Sequence, residues 1–122
     1  MTELLELTTL VDEHLAAYGD ADTVRRAEVI ARIWAADGEL VDPPIDGAGH
    51  DGIAAMTDAV LGLYPDHTFR RVTAVDAHHR FARYGWELVD AAGSVVLTGT
   101  DVAEIGEDGR LAMIVGFFGD LR

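Results

Sequence analysis

The chain has 122 residues, 49% hydrophobic and 25% charged, which suits one domain with a single core and excludes a disordered or fibrous protein. Its net charge of -13 argues against nucleic acid, whose phosphates need a basic face. It has no cysteine, which removes disulfides, thiolate nucleophiles and cysteine-bound zinc and suits a reducing compartment. No apolar run is long enough to span a membrane, and Met1 to Glu6 is acidic where a secretory signal would be basic. A cytoplasmic location is therefore expected. The nine basic residues are all arginine, which reads as a compositional bias.

Leu4, Leu7, Val11, His14 and Tyr18 fall at spacings of three and four, the seam of a first helix. Gly19 to Asp22 ends it and supplies an N-cap for a second. There Val24, Ala27, Ala31 and Trp34 repeat the pattern, with Ile30 and Ile33 widening the stripe. Asp37-Gly38 is expected to turn the chain into a short strand that stops at Pro43-Pro44, and Ile45 to Asp51 reads as a loop. A third helix carries Ile53, Met56, Val60 and Leu63 and must end near Tyr64, because Pro65 disfavours helical geometry in the residue before it.

From Thr68 the texture is that of strands. Thr68 to Val75 alternates loosely; Phe81 to Val89 sets Ala82, Tyr84, Trp86 and Leu88 against Arg83, Gly85 and Glu87. Asp90 to Gly93 is a turn, Val95 to Ile105 a strand, and Gly106-Glu107-Asp108-Gly109 the strongest hairpin signal. The last strand, Arg110 to Phe118, is apolar on both faces, so both should be covered. Three helices and a meander of strands form one α+β domain over residues 1–122, with helices on one face of a curved antiparallel sheet. A second copy of the chain, in a homodimer, is the simplest cover for the open sheet face.

Asp101 is the anomaly, a carboxylate in an otherwise apolar strand, where it is costly unless paired, hydrogen-bonded or protonated. Alternation leaves its direction open. Leu97, Gly99, Asp101, Ala103 and Ile105 make as good an inner face as Val96, Thr98, Thr100 and Val102. Asp42, before Pro43 at a strand end, reads either as a turn cap or as a catalytic base. His14, on the buried seam, is either a neutral core histidine or a proton donor. Trp34 and Trp86 read as core first and pocket wall second, as do Ile114 and Phe118; Tyr84 lies on the same face as Trp86. His78 and His79 are no metal site, since neighbours on a strand point to opposite faces. Arg70, Arg71, Arg80 and Arg83 could mark an anionic ligand, but pairing across strands with residues such as Glu87 and Glu104, or at a dimer interface, is the better reading. No nucleophile triad, phosphate loop or dinucleotide fingerprint is present, and no cofactor is expected.

Val41-Asp42-Pro43, Gly49-His50-Asp51-Gly52-Ile53, Gly99-Thr100-Asp101-Val102 and Asp108-Gly109-Arg110-Leu111 leading to Gly116-Phe117-Phe118 occur in an order that resembles the nuclear transport factor 2-like superfamily, in its SnoaL-like and ketosteroid-isomerase-like branch. The resemblance covers nearly the whole chain. It implies a cone-shaped (cystatin-like) sheet wrapped around the helices, with an apolar pocket open at one end. In the isomerase branch the residue matching Asp42 is the general base. A protonated acid matching Asp101 there joins a first-helix tyrosine in stabilising the developing oxyanion. Here His14 stands where that tyrosine would be, Tyr18 lies one turn later, and the second-helix region is several residues longer.

Three functions fit this reading. One is a cofactor-independent isomerase or cyclase that moves a proton next to the carbonyl of an apolar or polycyclic substrate. Asp42 would be its base, and Asp101 with His14 or Tyr18 its oxyanion partners. Trp34, Trp86, Tyr84, Ile114 and Phe118 would line its pocket. The second is a non-catalytic domain holding a hydrophobic ligand, with Asp42 fixed in a surface turn. The third is a dimerising module whose pocket is filled by its own aromatic side chains.

Overall fold

The computed structural model describes residues 4–119. Helix α1 spans Leu4–Ala17 and buries Leu7, Val11, His14, Leu15 and Ala17, continuing into buried Tyr18. Leu4, at the start of the expected seam, is exposed. Helix α2 spans Thr23–Ile33 and is capped by Asp22, whose side chain accepts from the Arg25 N–H at 3.1 Å.

The face that α2 turns inward differs from the expected one. Arg26, Ile30 and Ile33 are buried, whereas Val24, Ala27 and Ala31 face solvent. The bulkier isoleucines bury more apolar area than the alanines, so they decide the rotation of the helix. Arg26 comes with them, its guanidinium hydrogen-bonded to the Asp58 carboxylate and, at 3.1 Å, to the Asp20 carbonyl. Trp34 is no longer helical: it caps α2 and opens strand β1 (Trp34–Asp42), fully buried.

Asp37-Gly38 does not precede β1 but lies within it, at an irregularity in its pairing between Trp34 and Glu39. The expected loop after it is also structured. Past the cis Pro43-Pro44 bond, β2 (Ile45–Ala48) pairs back on β1, and α3 (Gly49–Leu63) starts at once. Gly47 packs so tightly on Gly52 and Met56 of α3 that a side chain has no room there. Helix α3 buries Ile53, Met56 and Thr57 and ends at Tyr64, before Pro65, as its sequence requires.

Of the stretch expected as strand from Thr68 to Val75, β3 (Thr68–Arg71) forms; β4 (Asp76–His78) lies just beyond it, and the two pair with opposite halves of β5 (Phe81–Val89). Strands β6 (Val95–Ile105) and β7 (Leu111–Phe118) complete a curved, unclosed sheet in the order β2-β1-β7-β6-β5-β3. Its pairs are antiparallel except β1 with β7, which run parallel and bring the end of the first strand beside the end of the last. The inner face follows the alternation: Ala82, Tyr84, Trp86 and Leu88 on β5, and Gly99, Asp101, Ala103 and Ile105 on β6, are buried. On the outer face Val96, Val102 and Phe117 stay exposed in the single chain. Among the described residues no helix is long and apolar enough to cross a membrane.

Candidate active site in the cone

Strand register assembles the site. Tyr84 on β5 is directly opposite Asp101 on β6, which is opposite Gly116 on β7. Leu40 and Val41 of β1 pair with Ile114 and Val115, so Asp42 follows beside Gly116. The result is one row across four strands: Tyr84, Asp101, Gly116, Asp42. A Cβ on Gly116 would fall well inside contact distance of Asp42 Oδ1 and 3.0 Å from Asp101 Oδ1. The absent side chain is therefore what lets the two carboxyls converge. Trp86 gains its place in the same way, its indole lying over Gly99, the residue opposite it.

Asp101 is 4% exposed and accepts two hydrogen bonds, from the Tyr84 hydroxyl to Oδ2 at 2.7 Å and from Trp86 Nε1 to Oδ1 at 3.0 Å. Burial pushes its carboxyl up to about 7. The Tyr84 hydrogen bond opposes that rise, the Asp42 charge adds to it, and the Trp86 hydrogen bond opposes it again. Asp42, half-buried, is also raised by burial, against a long hydrogen bond from the Tyr18 hydroxyl to Oδ2 at 3.4 Å. Burial and the two neighbouring carboxylates push Tyr18 and Tyr84 well above the usual tyrosine range, so both remain donors at neutral pH.

Beside the two carboxyls lies a cavity of about 200 Å³. Asp42, Asp101 and Tyr18 line it, together with Leu15, Val60, Tyr64, Phe69, Trp86 and Leu97. Pro43, Pro44, Leu63 and Phe118 line it too and are exposed, so they form its mouth. Among the described residues, no arginine or histidine is in the lining.

The residues singled out from the sequence thus divide. Asp42, Asp101, Tyr18, Trp86 and Phe118 come together on the cavity. His14, Trp34, Tyr84 and Ile114 are buried but do not line it. Tyr84 stands behind Asp101, as its donor. His14 has Nε2 at 4.0 Å from Asp101 Oδ2, beyond hydrogen-bonding reach, and its ring lies edge-on to Tyr18 (5.3 Å) and Trp34 (5.7 Å). Burial lowers its pKa to about 3, so it is neutral at physiological pH. Residue patterns alone do not reveal the two donors to Asp101. The signal is the strand register, since the Asp90 to Gly93 turn places Tyr84 across from Asp101.

The arginines settle away from the cavity. Arg70 pairs with Glu87 and Arg80 with Glu104 across strands, as the sequence favoured; Arg71 reaches Asp12 and Arg83 reaches Asp76. Among the described residues no group of three or more histidine, aspartate or glutamate side chains is arranged to hold a metal ion.

No family sequence model matches the chain, and no curated protein does. Solved structures do. A candidate isomerase of the SnoaL-like family from Agrobacterium tumefaciens is 34% identical over 93% of this chain and 97% of its own, with a TM-score of 0.88. A candidate polyketide cyclase from Sinorhizobium meliloti (19% identity, 95% and 100% coverage, TM-score 0.71) shares the fold. So does a nuclear transport factor 2-like protein of unknown function from Exiguobacterium (17% identity, 92% and 99% coverage, TM-score 0.72). The first of these, with its identity and near-complete coverage, sets the family: the chain belongs to the SnoaL-like family.

Proposed function

We propose that the protein is a cofactor-independent isomerase or cyclase that moves a proton next to the carbonyl of an uncharged, apolar substrate. The observation that carries this reading is the convergence of two carboxyls, both raised by burial, in one apolar cavity whose described lining contains no cation. Two like groups with different environments divide into a base and an acid. Asp42 accepts a long hydrogen bond from Tyr18, lies toward the mouth and is the base. Asp101, deeper and more strongly raised, is the acid.

In the reaction, ionised Asp42 takes the proton from the carbon beside the carbonyl. The C–H electron pair becomes the enolate, with its charge on oxygen. That oxygen accepts hydrogen bonds from protonated Asp101 and from Tyr18, in a site largely cleared of water. Asp42 then returns its proton at another carbon, giving the isomer; or the enolate carbon bonds to a second carbonyl carbon, whose C=O pair moves onto its oxygen and takes the proton back from Asp42, giving a ring. His14 is assigned to positioning, since its ring is neutral and does not line the cavity. Its edge contacts hold Tyr18 and Trp34 in place.

The non-catalytic alternatives are less well supported. A simple binding pocket calls for Asp42 locked in its own turn, but its carboxyl reaches Tyr18 and the cavity instead. A filled cone calls for no cavity.

Proton removal can be assayed without knowing the natural substrate. The protein should accelerate exchange of the protons beside the carbonyl of 4-pentylcyclohexanone in heavy water, followed by NMR. Asp42→Asn should slow that exchange by roughly 10²- to 10⁴-fold while leaving the fold intact. Exchange at the wild-type rate in the folded variant would remove Asp42 as the base.

A further inference from the structure

The turn from β4 into β5 brings together two histidine rings that a regular strand would hold apart, since consecutive strand residues point to opposite faces. His78 is the last residue of β4, but His79 lies beyond it with φ 53°, in the left-handed region that histidine enters more readily than most residues. That conformation swings the second ring back toward the first. The two Nδ1 atoms stand 3.0 Å apart, and the ring planes are nearly perpendicular, at 89°. The ground on which the sequence excludes a metal at this pair therefore does not hold. Both residues are exposed, and they share a surface recess with Glu6, Glu107 and Asp108, away from the cavity lining. Arg80, the next residue, is engaged with Glu104 at 3.0 Å and lies over the Phe81 ring at 4.7 Å. The acids of the recess, in a chain of net charge -13, raise the local concentration of cations.

Two ring nitrogens this close either share a proton or turn both lone pairs toward one electrophile. Nitrogens bound at about 2.0–2.1 Å to one metal ion are about 2.9 Å apart at a right angle and about 3.3 Å apart in a tetrahedron. The separation of 3.0 Å fits the right angle, which is the edge of a square-planar or octahedral set. We propose that His78 and His79 form a two-nitrogen surface site for a divalent late transition-metal ion of the Ni²⁺ or Cu²⁺ kind, bound through both Nδ1 atoms. The ion replaces the shared proton, and the ring that carried it at Nδ1 carries it at Nε2 instead. No proton is released and nothing is oxidised or reduced. Among the described residues no third histidine, aspartate or glutamate is placed to complete the set, so water fills the other positions. Glu6, Glu107 and Asp108 act on the ion through their charge.

The test is calorimetric titration of the protein with Ni²⁺, which should bind one equivalent. His78→Ala and His79→Asn should each weaken that binding by roughly 100-fold or more, because one nitrogen no longer holds the ion beside the other. Asparagine is the choice at position 79 because it also tolerates a positive φ, so the turn survives the change. His67→Ala is the control. His67 is half-buried, with Nδ1 2.8 Å from the Pro65 carbonyl, and its loss should leave the affinity unchanged. In proton NMR, the ring signals of His78 and His79 should broaden at substoichiometric Ni²⁺, before that of His67. The proposal is overturned if Ni²⁺ shows no one-to-one binding, or if either variant of the pair binds it as the wild type does. It is also overturned if His67→Ala weakens binding as much as they do. Neither histidine of the pair lines the cavity, so the result bears on the metal site and not on proton transfer.

Discussion

The two faces of the same sheet treat charge in opposite ways. On the outer face Arg83 sits 2.8 Å from Asp76, Arg80 3.0 Å from Glu104, and Arg70 is hydrogen-bonded to Glu87, each acid matched by a cation in water. On the inner face Asp42 and Asp101 approach each other across Gly116 with tyrosine and tryptophan donors and, among the described residues, no cation. A chain with nine arginines places none of those described at the pocket. An arginine there would hold both carboxyls ionised, and neither could then act as an acid. Surface pairing is cheap and interchangeable, whereas buried acids with no cation beside them among the described residues cost stability.

The sharpest way to break the contrast is to disturb the inner pair without touching its charges. Gly116→Ala pushes a methyl group into the Asp42 carboxylate, which can swing aside because it is the free end of a side chain. Displacing the base by about 1 Å should slow proton exchange by roughly 100-fold, with a change in unfolding free energy that stays within the overpacking range of about 1–3 kcal/mol. An exchange rate within twofold of wild type would mean that the convergence over Gly116 is not needed. At the other extreme, Arg83→Ala removes an outer pair whose side chains are mostly exposed. Urea unfolding should shift by less than about 0.5 kcal/mol, and the exchange rate should not change. A larger loss would show that the outer face is also built around its charges.

The same contrast explains what could be read from the sequence. Strand β5 was legible because its alternation holds from Ala82 to Leu88, with Arg83 and Glu87 among its outward residues. Helix α2 was not, because alanines and isoleucines compete for the same stripe and volume, not hydrophobicity alone, decides between them. The β1–β2 hairpin hid behind Pro43-Pro44 and the glycines, which look like loop punctuation but here serve tight packing on α3. At the site, the residue types were visible and their directions were not. Asp101 faces inward because Tyr84 and Trp86 on the neighbouring strand face inward, and that information lies in pairing between strands. His14 was correctly placed on the buried seam, but its depth, which sets its protonation, is a property of the packed core.

The proposed chemistry depends on a carboxyl that burial raises to about 7, so that a substantial fraction keeps its proton at neutral pH. Titration of the aspartate side-chain carboxyls by carbon-13 NMR, in wild type and in Tyr84→Phe, tests this directly. Asp101 should titrate near 7, against about 3.9 for an ordinary aspartate. The exchange rate should fall as pH rises through that value, because the acid form is lost, and should fall again at low pH, where Asp42 becomes protonated. Removing the Tyr84 hydroxyl takes away a bond that favours the ionised form, so in Tyr84→Phe both the titration and the falling limb should move to higher pH. If Asp42 and Asp101 both titrate in the ordinary carboxylate range, the division of the pair into base and acid is wrong.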